Sequence, residues 1–302
     1  MSEPTIAEVS SWGFEEGAEI AEGRSVLKPI GSASELYDTY LVWDEQRFSI
    51  MVAKVIRPDR VSDDSAYNGL RREVWALERL QHPIVVRAFD AVLTEPHPHV
   101  LLEHLEGFTL RSVIRRQGAI PPEQALPLAL HVASALHYFA GEDAVHLDVK
   151  PDNIIMSAPP RLIDLSLVHS VEDANALTSA VGTDAYMAPE QCIPGEGEPI
   201  GPATDVWGLG ATLYYACAAT VPFPRPARED RHTLADRFPQ LEDDPWPLPS
   251  EVPANLRELI VAMLRRDPTE RPAASEVAGA LQPLVAQLPH RYVMTKWGWR
   301  PT

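Results

Sequence analysis

Cysteine is nearly absent from this chain. Its two cysteines, Cys192 and Cys217, are too few for a disulfide framework and lack metal-ligand spacing, so a reduced, intracellular (cytoplasmic) protein is expected. Long apolar runs are missing too: no stretch approaches the ~20 residues of a membrane helix. The start, Met1-Ser-Glu-Pro, has no basic stretch leading into an apolar one, so a signal peptide is not expected either. Positive charge is in deficit, with 26 basic against 43 acidic residues and a formal net charge of −17. Such a surface repels nucleic acid and anionic membranes at long range, which argues against both as partners. It serves solubility or, as a second reading, basic substrates. No internal repeat is present.

With 302 residues, 45 % of them hydrophobic, the chain can form a two-lobed domain. Residues 1–25 are polar and acidic with scattered glycines and read as a loose lead-in. From Val26 to Ile56 β-branched and aromatic residues cluster, and Asp44-Glu-Gln-Arg supplies the turn of an antiparallel hairpin. Apolar residues at 70, 74, 77 and 80 predict a helix, and Val86–Asp90 and His99–Glu103 predict short strands. Beyond Gly107 the character becomes helical. Pro121-Pro-Glu-Gln opens a helix reaching Tyr138, and further helices are expected over 206–219, 255–264 and 274–284. Residues 222–253, rich in proline and charge, read as loops. The fold class is therefore α+β, a β-rich front followed by a helical remainder, with the change near 103–108.

The chemistry concentrates in Val145-His-Leu-Asp-Val-Lys-Pro-Asp-Asn-Ile-Ile. An Asp followed after two positions by Lys, and after five by Asn, gathers a general base, a cation and a metal-ligating amide. The next strand, Leu162-Ile-Asp-Leu-Ser, ends on a carboxylate able to hold a divalent cation. These are the parts that phosphoryl transfer needs: positioning, metal across phosphates and a group to receive a hydroxyl proton.

His146-Leu-Asp-Val-Lys-Pro-Asp-Asn resembles the catalytic loop of eukaryotic-type (Hanks-type) protein kinases, including the bacterial serine/threonine kinases. Asp164-Leu-Ser resembles their metal-binding triplet and Ala188-Pro-Glu the end of their activation segment. Val52-Ala-Lys resembles the lysine motif of their third strand, and Glu73 is placed to pair with Lys54. Asp205-Val-Trp resembles the start of the central helix whose Asp braces the catalytic loop. Asp267-Pro-Thr-Glu-Arg-Pro resembles the late motif whose Arg271 bridges Glu190, and Leu101-Leu-Glu-His-Leu-Glu-Gly the hinge. Each motif alone is weak: an isolated Lys54 is a snorkelling strand residue and an isolated Asp205 a helix cap. Their common order over residues 26–285 carries the resemblance.

What the resemblance implies is a bilobal kinase fold over 26–285, with an N-lobe of 26–103, a hinge of 103–108, a C-lobe of 109–285 and a tail of 286–302. It implies ATP as co-substrate with Mg2+ or Mn2+, Asn153 and Asp164 holding the metal, and Lys54, paired with Glu73, on the phosphates. It gives Asp148 the substrate proton and Lys150 the charge of the transferring phosphoryl. Ala53 and Ile155 would clamp the adenine and Glu103 and Leu105 meet it through the backbone. Asp152 supports the loop. Lys150, with Thr183 placed to bond Asp148 and Lys150, resembles the serine/threonine branch, so protein substrates with Ser or Thr hydroxyls are implied, and regulation by a partner protein is expected.

Three departures stand against the pattern. The glycine-rich loop falls near Ile30-Gly-Ser-Ala-Ser-Glu-Leu-Tyr; anchored on Tyr40-Leu41, its glycine positions become Ser32, Ser34 and Tyr37. Serines there can still donate to a phosphate, whereas Tyr37 is hard to accommodate. Leu147 replaces an Arg that receives an activation-loop phosphate, so activity independent of Thr178 and Ser179 is expected. Ser166 replaces the triplet's glycine and is expected to leave the Asp164 carboxylate untouched. The alternative reading is a pseudokinase, a nucleotide-binding or nucleotide-free scaffold. A small-molecule kinase is disfavoured by the complete segment ending at Ala188-Pro-Glu. The aromatic tail from Tyr292 reads as packing back on the helical part, or as a docking tail.

Overall fold

In the computed structural model, which describes residues 11–31, 35–224, 226–227 and 232–288, the predicted hairpin is formed by β3 (Tyr37–Asp44) and β4 (Ser49–Ile56), with Asp44 opposite Ser49. Around it the chain divides into two compact units. The first takes the described residues of Met1–Gln81, Val86–Leu105 and Asp164–Ser166; the second takes those of His82–Val85, Glu106–Ile163 and Leu167–Thr302.

The first unit is an antiparallel sheet to which β1 (Glu19–Ala21), β2 (Arg24–Gly31), β5 (Ala88–Val92) and β6 (His99–Glu103) also belong, in the order β1-β2-β3-β4-β6-β5. Side chains alternate across a strand. Tyr37, Thr39, Leu41, Val52 and Lys54 therefore share one face of the hairpin, and Tyr40, Val42, Met51, Ala53 and Val55 the other. Apart from Asp38 and Asp44, which share it, that second face is apolar and needs cover. Ile20 buries itself against it and Trp12 and Phe14 pack over the same cluster, the Trp12 indole N–H donating to the Ile56 carbonyl at 2.8 Å. The expected loose lead-in is thus corrected over residues 11–25, which are a structural part of the sheet. Arg24 ties three more strands together through Asp44, Asp90 and His99.

Helix α1 (Asp64–Arg79) begins six residues before the periodic apolar stretch, because the Asp63 side chain caps it by accepting from the Ser65 N–H at 2.8 Å. Its buried residues, Ala66, Gly69, Leu70, Glu73, Ala76 and Leu77, recur every three or four positions. Glu73 is the one charge on that buried face.

The second unit is mainly helical: α2 (Leu110–Gln117), α3 (Pro122–Gly141), α6 (Pro202–Ala218), α8 (Ala254–Met263) and α9 (Ala274–Ala286), with single turns α4 (Val171–Asn175), α5 (Pro189–Cys192) and α7 (Leu234–Arg237). Every residue of α6 from Thr204 to Cys217 is buried, with α3 and α8 packed against it. Helix α2 was not expected from the sequence; Thr109 caps it. Among its described residues, the stretch 222–253 is loop apart from α7 and one 3-10 turn at Pro239–Leu241. Short strands fix the catalytic loop at both ends. β8 (Ala144–Val145) pairs with β11 (His169–Ser170), and β9 (Ile154–Met156) lies between β7 (Phe108–Thr109) and β10 (Arg161–Leu162). Arg271 and Glu190 form a fully buried two-bond pair at 2.7 and 2.8 Å; removing one partner of such a pair costs about 3–5 kcal/mol. No helix among the described residues is long and apolar enough to cross a membrane.

Candidate active site

The first unit assembles three of the predicted residues. β4 carries Lys54 on the face shared with Tyr37, and the Lys54 ammonium donates to Glu73 of α1 at 2.7 Å and to Asp164 at 2.8 Å. Burial opposes the Lys54 charge, but Asp164 and Glu73 outweigh it and raise the amine's pKa above its ordinary value. Burial also raises the Glu73 pKa, against the pull of Lys54. Asp164 sits at φ 63°, a conformation that turns its carboxylate locally. The motif expected on the third strand lies on the fourth because Glu19–Ala21 adds a strand in front.

Two expectations need correction here. The Ser166 hydroxyl donates to the Asp164 carboxylate at 2.7 Å, on the oxygen that Lys54 also uses. Serine in place of glycine therefore engages the carboxylate it was expected to leave alone. Ala53 lies on the face of β4 opposite Lys54, buried among Val26, Tyr40 and Leu101. It is Val52, two positions before Lys54, that shares the lysine's face, since the side-chain period of a strand is two. Of the other nucleotide candidates in this unit, Glu103 ends β6 and spends its N–H on the Arg87 carbonyl at 2.9 Å. Leu105 follows it by two residues. Ser32 and Ser34 lie outside the described residues, as does the segment 289–302 with its aromatics. Tyr37 is 2 % exposed, its hydroxyl donating to the Ala66 carbonyl of α1.

The second unit assembles the loop residues. The Asp148 carboxylate accepts from Lys150 at 2.6 Å, from the Thr183 hydroxyl at 2.8 Å and from the Asn153 amide at 3.1 Å. Asn153 donates also to the Asp148 carbonyl, at 2.9 Å, and Lys150 to the Thr183 hydroxyl, at 2.8 Å. Asp205, in the first turn of α6, accepts the His146 and Leu147 N–H groups at 2.6 and 2.8 Å. Burial pushes its pKa up to about 7, although those two N–H groups pull the other way. Asp152 binds Arg111 of α2 at 2.6 Å, and Arg111 reaches the Tyr186 hydroxyl at 2.9 Å. Ile155 lies half-buried in β9. Leu147 is buried with Val145, Ala174 and Ile200.

Sequence reasoning missed Gln191. Its amide donates to the Leu147 carbonyl at 2.9 Å and the Val181 carbonyl at 3.1 Å, joining the catalytic loop to the segment after it. Gly182 makes that approach possible: it adopts φ 124°, and a Cβ there would lie 2.7 Å from the Leu147 carbonyl oxygen. Arg111 gave no signal either, standing in a short helix that no long period announced.

Of the two donors that the resemblance gives to a metal, the Asp164 carboxylate belongs to the first unit and the Asn153 amide oxygen to the second. Such oxygen-only chemistry fits a hard cation that keeps waters and phosphate oxygens as its other ligands. Among the described residues no group of three or more His, Cys, Asp or Glu side chains could by itself hold a metal.

Comparison with known proteins adds an independent result. A family model described as the protein kinase domain matches residues 29–280. Serine/threonine-protein kinase PknB of Mycobacterium leprae is 28 % identical over 247 residues, covering 78 % of this chain and 38 % of that protein. A probable serine/threonine-protein kinase, PkwA of Thermomonospora curvata, is 31 % identical over 235 residues, 76 % of this chain and 30 % of its own length. The SNF1-related protein kinase catalytic subunit alpha KIN12 of Arabidopsis thaliana is 26 % identical over 226 residues, 74 % of this chain and 44 % of that one. The chain spans less than half the length of each of these relatives.

Proposed function

The chain belongs to the protein kinase family, and from that premise we propose that it transfers the γ-phosphoryl group of ATP to serine or threonine hydroxyls of proteins. The observation that carries the reading is the Asp148 carboxylate, held at once by Lys150, Thr183 and Asn153.

In this reading Asp148 orients the substrate hydroxyl and receives its proton as the hydroxyl oxygen forms a bond to the γ-phosphorus. The bond from that phosphorus to the bridging oxygen of ADP breaks in the same displacement. Lys150, already shared between Asp148 and Thr183, offers its charge to the phosphoryl in transit. Thr183 fixes both partners, which supports the serine/threonine branch. Lys54, kept cationic by Glu73 and Asp164, serves the α- and β-phosphates. A magnesium ion, held through Asp164 and Asn153, would supply charge neutralisation across the phosphates. Val52 takes the adenine contact first assigned to Ala53, with Ile155, and with the Glu103 carbonyl and Leu105 as backbone partners. Cys192 and Cys217 are both free and buried, which suits the reducing cytoplasm as its place of work.

Control is proposed to bypass phosphate on the activation segment. Leu147 offers an apolar cluster where a phosphate receptor would need a cation, and the Asn175 side chain holds the Ile200 backbone through both its N–H and C=O, at 3.0 and 2.9 Å. We predict that the Thr178→Ala, Ser179→Ala double variant keeps its rate within about twofold, since each hydrogen bond involved is untouched; a collapse of activity refutes this control scheme. A regulatory partner protein would then act elsewhere on the surface.

The test is transfer of labelled γ-phosphate from Mg-ATP to the protein itself and to a basic generic substrate. Incorporation lost in Asp148→Asn and in Lys54→Met supports the proposal. Nucleotide binding without transfer would instead support the scaffold reading, to which the substituted glycine positions point.

A further inference from the structure

Tyr37 is the residue that the loop pattern least accommodates, and the structure gives it a definite place. It opens β3 opposite Ile56, so its side chain leaves the sheet on the same face as Thr39 and Lys54. The phenol is buried, and three groups meet it. Its hydroxyl donates to the Ala66 carbonyl of α1 at 2.7 Å. Its ring centroid lies 4.7 Å from the Lys54 ammonium, within range of a cation–π attraction. Gly69 of α1 leaves room for it: a Cβ there would collide with the Tyr37 hydroxyl and stand 3.7 Å from the ring carbon bearing it. Glycine inside a helix is ordinarily unfavourable; here it is the complement of the phenol.

Tyr37 thus touches α1 about two turns before Glu73, and touches the cation that Glu73 binds at 2.7 Å. A residue that merely filled space would need neither the main-chain acceptor nor the facing glycine. Burial also raises the phenol's pKa, so it stays protonated and remains a donor.

We propose that Tyr37 is a positioning residue, a phenol latch that ties α1 to β3 and keeps the Lys54–Glu73 pair assembled with or without nucleotide. The latch itself stands on the geometry of the first unit. Its consequence for phosphoryl transfer rests on the kinase reading above. The competing account, in which the phenol obstructs nucleotide phosphates, predicts the opposite sign for its removal.

Two readouts on the full chain separate these cases. The first is hydrogen exchange of the α1 amides without nucleotide. Tyr37→Phe keeps the ring and deletes the hydroxyl, and is expected to speed exchange in α1 about fivefold, the scale of one hydrogen bond, while β5 and β6 stay unchanged. Gly69→Ala would slow exchange in an ordinary helix by raising its propensity; the latch predicts that it speeds exchange, and that adding Tyr37→Phe brings the rate back to that of Tyr37→Phe alone. The second is the split between KM for ATP and kcat: Tyr37→Phe raises KM and lowers kcat together, and Tyr37→Gly does so more strongly. Unchanged α1 exchange in Tyr37→Phe overturns the latch, and so does a Tyr37→Gly variant with lower KM and higher kcat. If the unsubstituted protein transfers no phosphate, the kinase reading fails and the exchange readout still decides the latch. If Tyr37→Gly does not fold, Tyr37→Phe and Gly69→Ala decide it.

Discussion

At the scale of residues, the site differs from its family pattern less by subtraction than by replacement. Ser166 is the plainest case. A glycine would leave the Asp164 oxygen to Lys54 and to the N–H of residue 166 at 3.3 Å, whereas the serine hydroxyl adds a further donor at 2.7 Å. Hydrogen bonds to charged groups are worth about 1.5–3 kcal/mol, so Ser166→Ala is expected to lower kcat/KM for Mg-ATP about tenfold. Steady-state kinetics at varied magnesium is the check. A variant as fast as the parent would mean that Lys54 and the main-chain N–H of residue 166 suffice to position the carboxylate. Ala53 shows why such detail escapes the sequence. The motif Val52-Ala-Lys holds two apolar residues, and the side-chain alternation of β4, once it is known to run as a strand through all three, puts Val52 on the lysine's face.

At the scale of elements, what was legible had strong periodicity or strong punctuation. Helices α3, α6, α8 and α9 follow from apolar recurrence and prolines at helix starts, and the β3–β4 hairpin from β-branched runs around Asp44-Glu-Gln-Arg. Helix α2, at eight residues, is too short for a period to stand out. Where an element braces the site, its chemistry carries a pH signature. Asp205 of α6 has its pKa raised from 3.8 to about 7 by burial. The folded state therefore holds that proton more tightly than the unfolded chain between about pH 4 and 7. Its contribution is fully present below pH 4 and is lost as pH rises through 7. The stability penalty of Asp205→Asn, from denaturant unfolding, is expected to be largest near pH 4 and to shrink by up to about 4 kcal/mol towards pH 7, at 1.36 kcal/mol per unit. A penalty independent of pH would mean that the two N–H groups from the catalytic loop fully offset burial.

At the scale of the whole molecule, the kinase architecture was readable because its motifs occur in one order, each bound to a type of chemistry. The cover on the outer sheet face was not readable. Trp12, Phe14 and Ile20 stand in a stretch of glycines and acids with no period, and their partners lie far along the chain: Ile56, 44 residues from Trp12, and His97, which both aromatic rings meet edge-on. Trp12→Ala is expected to cost about 2–3 kcal/mol, below the 3–5 of a fully buried aromatic because the indole is only half-buried. Denaturant unfolding measures it, and an unchanged midpoint would reduce the segment to a passive appendage.

The apolar seat of Leu147 has one more consequence. In the proposed reading, a segment seated by hydrocarbon gives a phosphate nothing to bind, so an upstream enzyme leaves no mark at that place that the fold can read. What then varies the output is the number of copies and the partner each one meets.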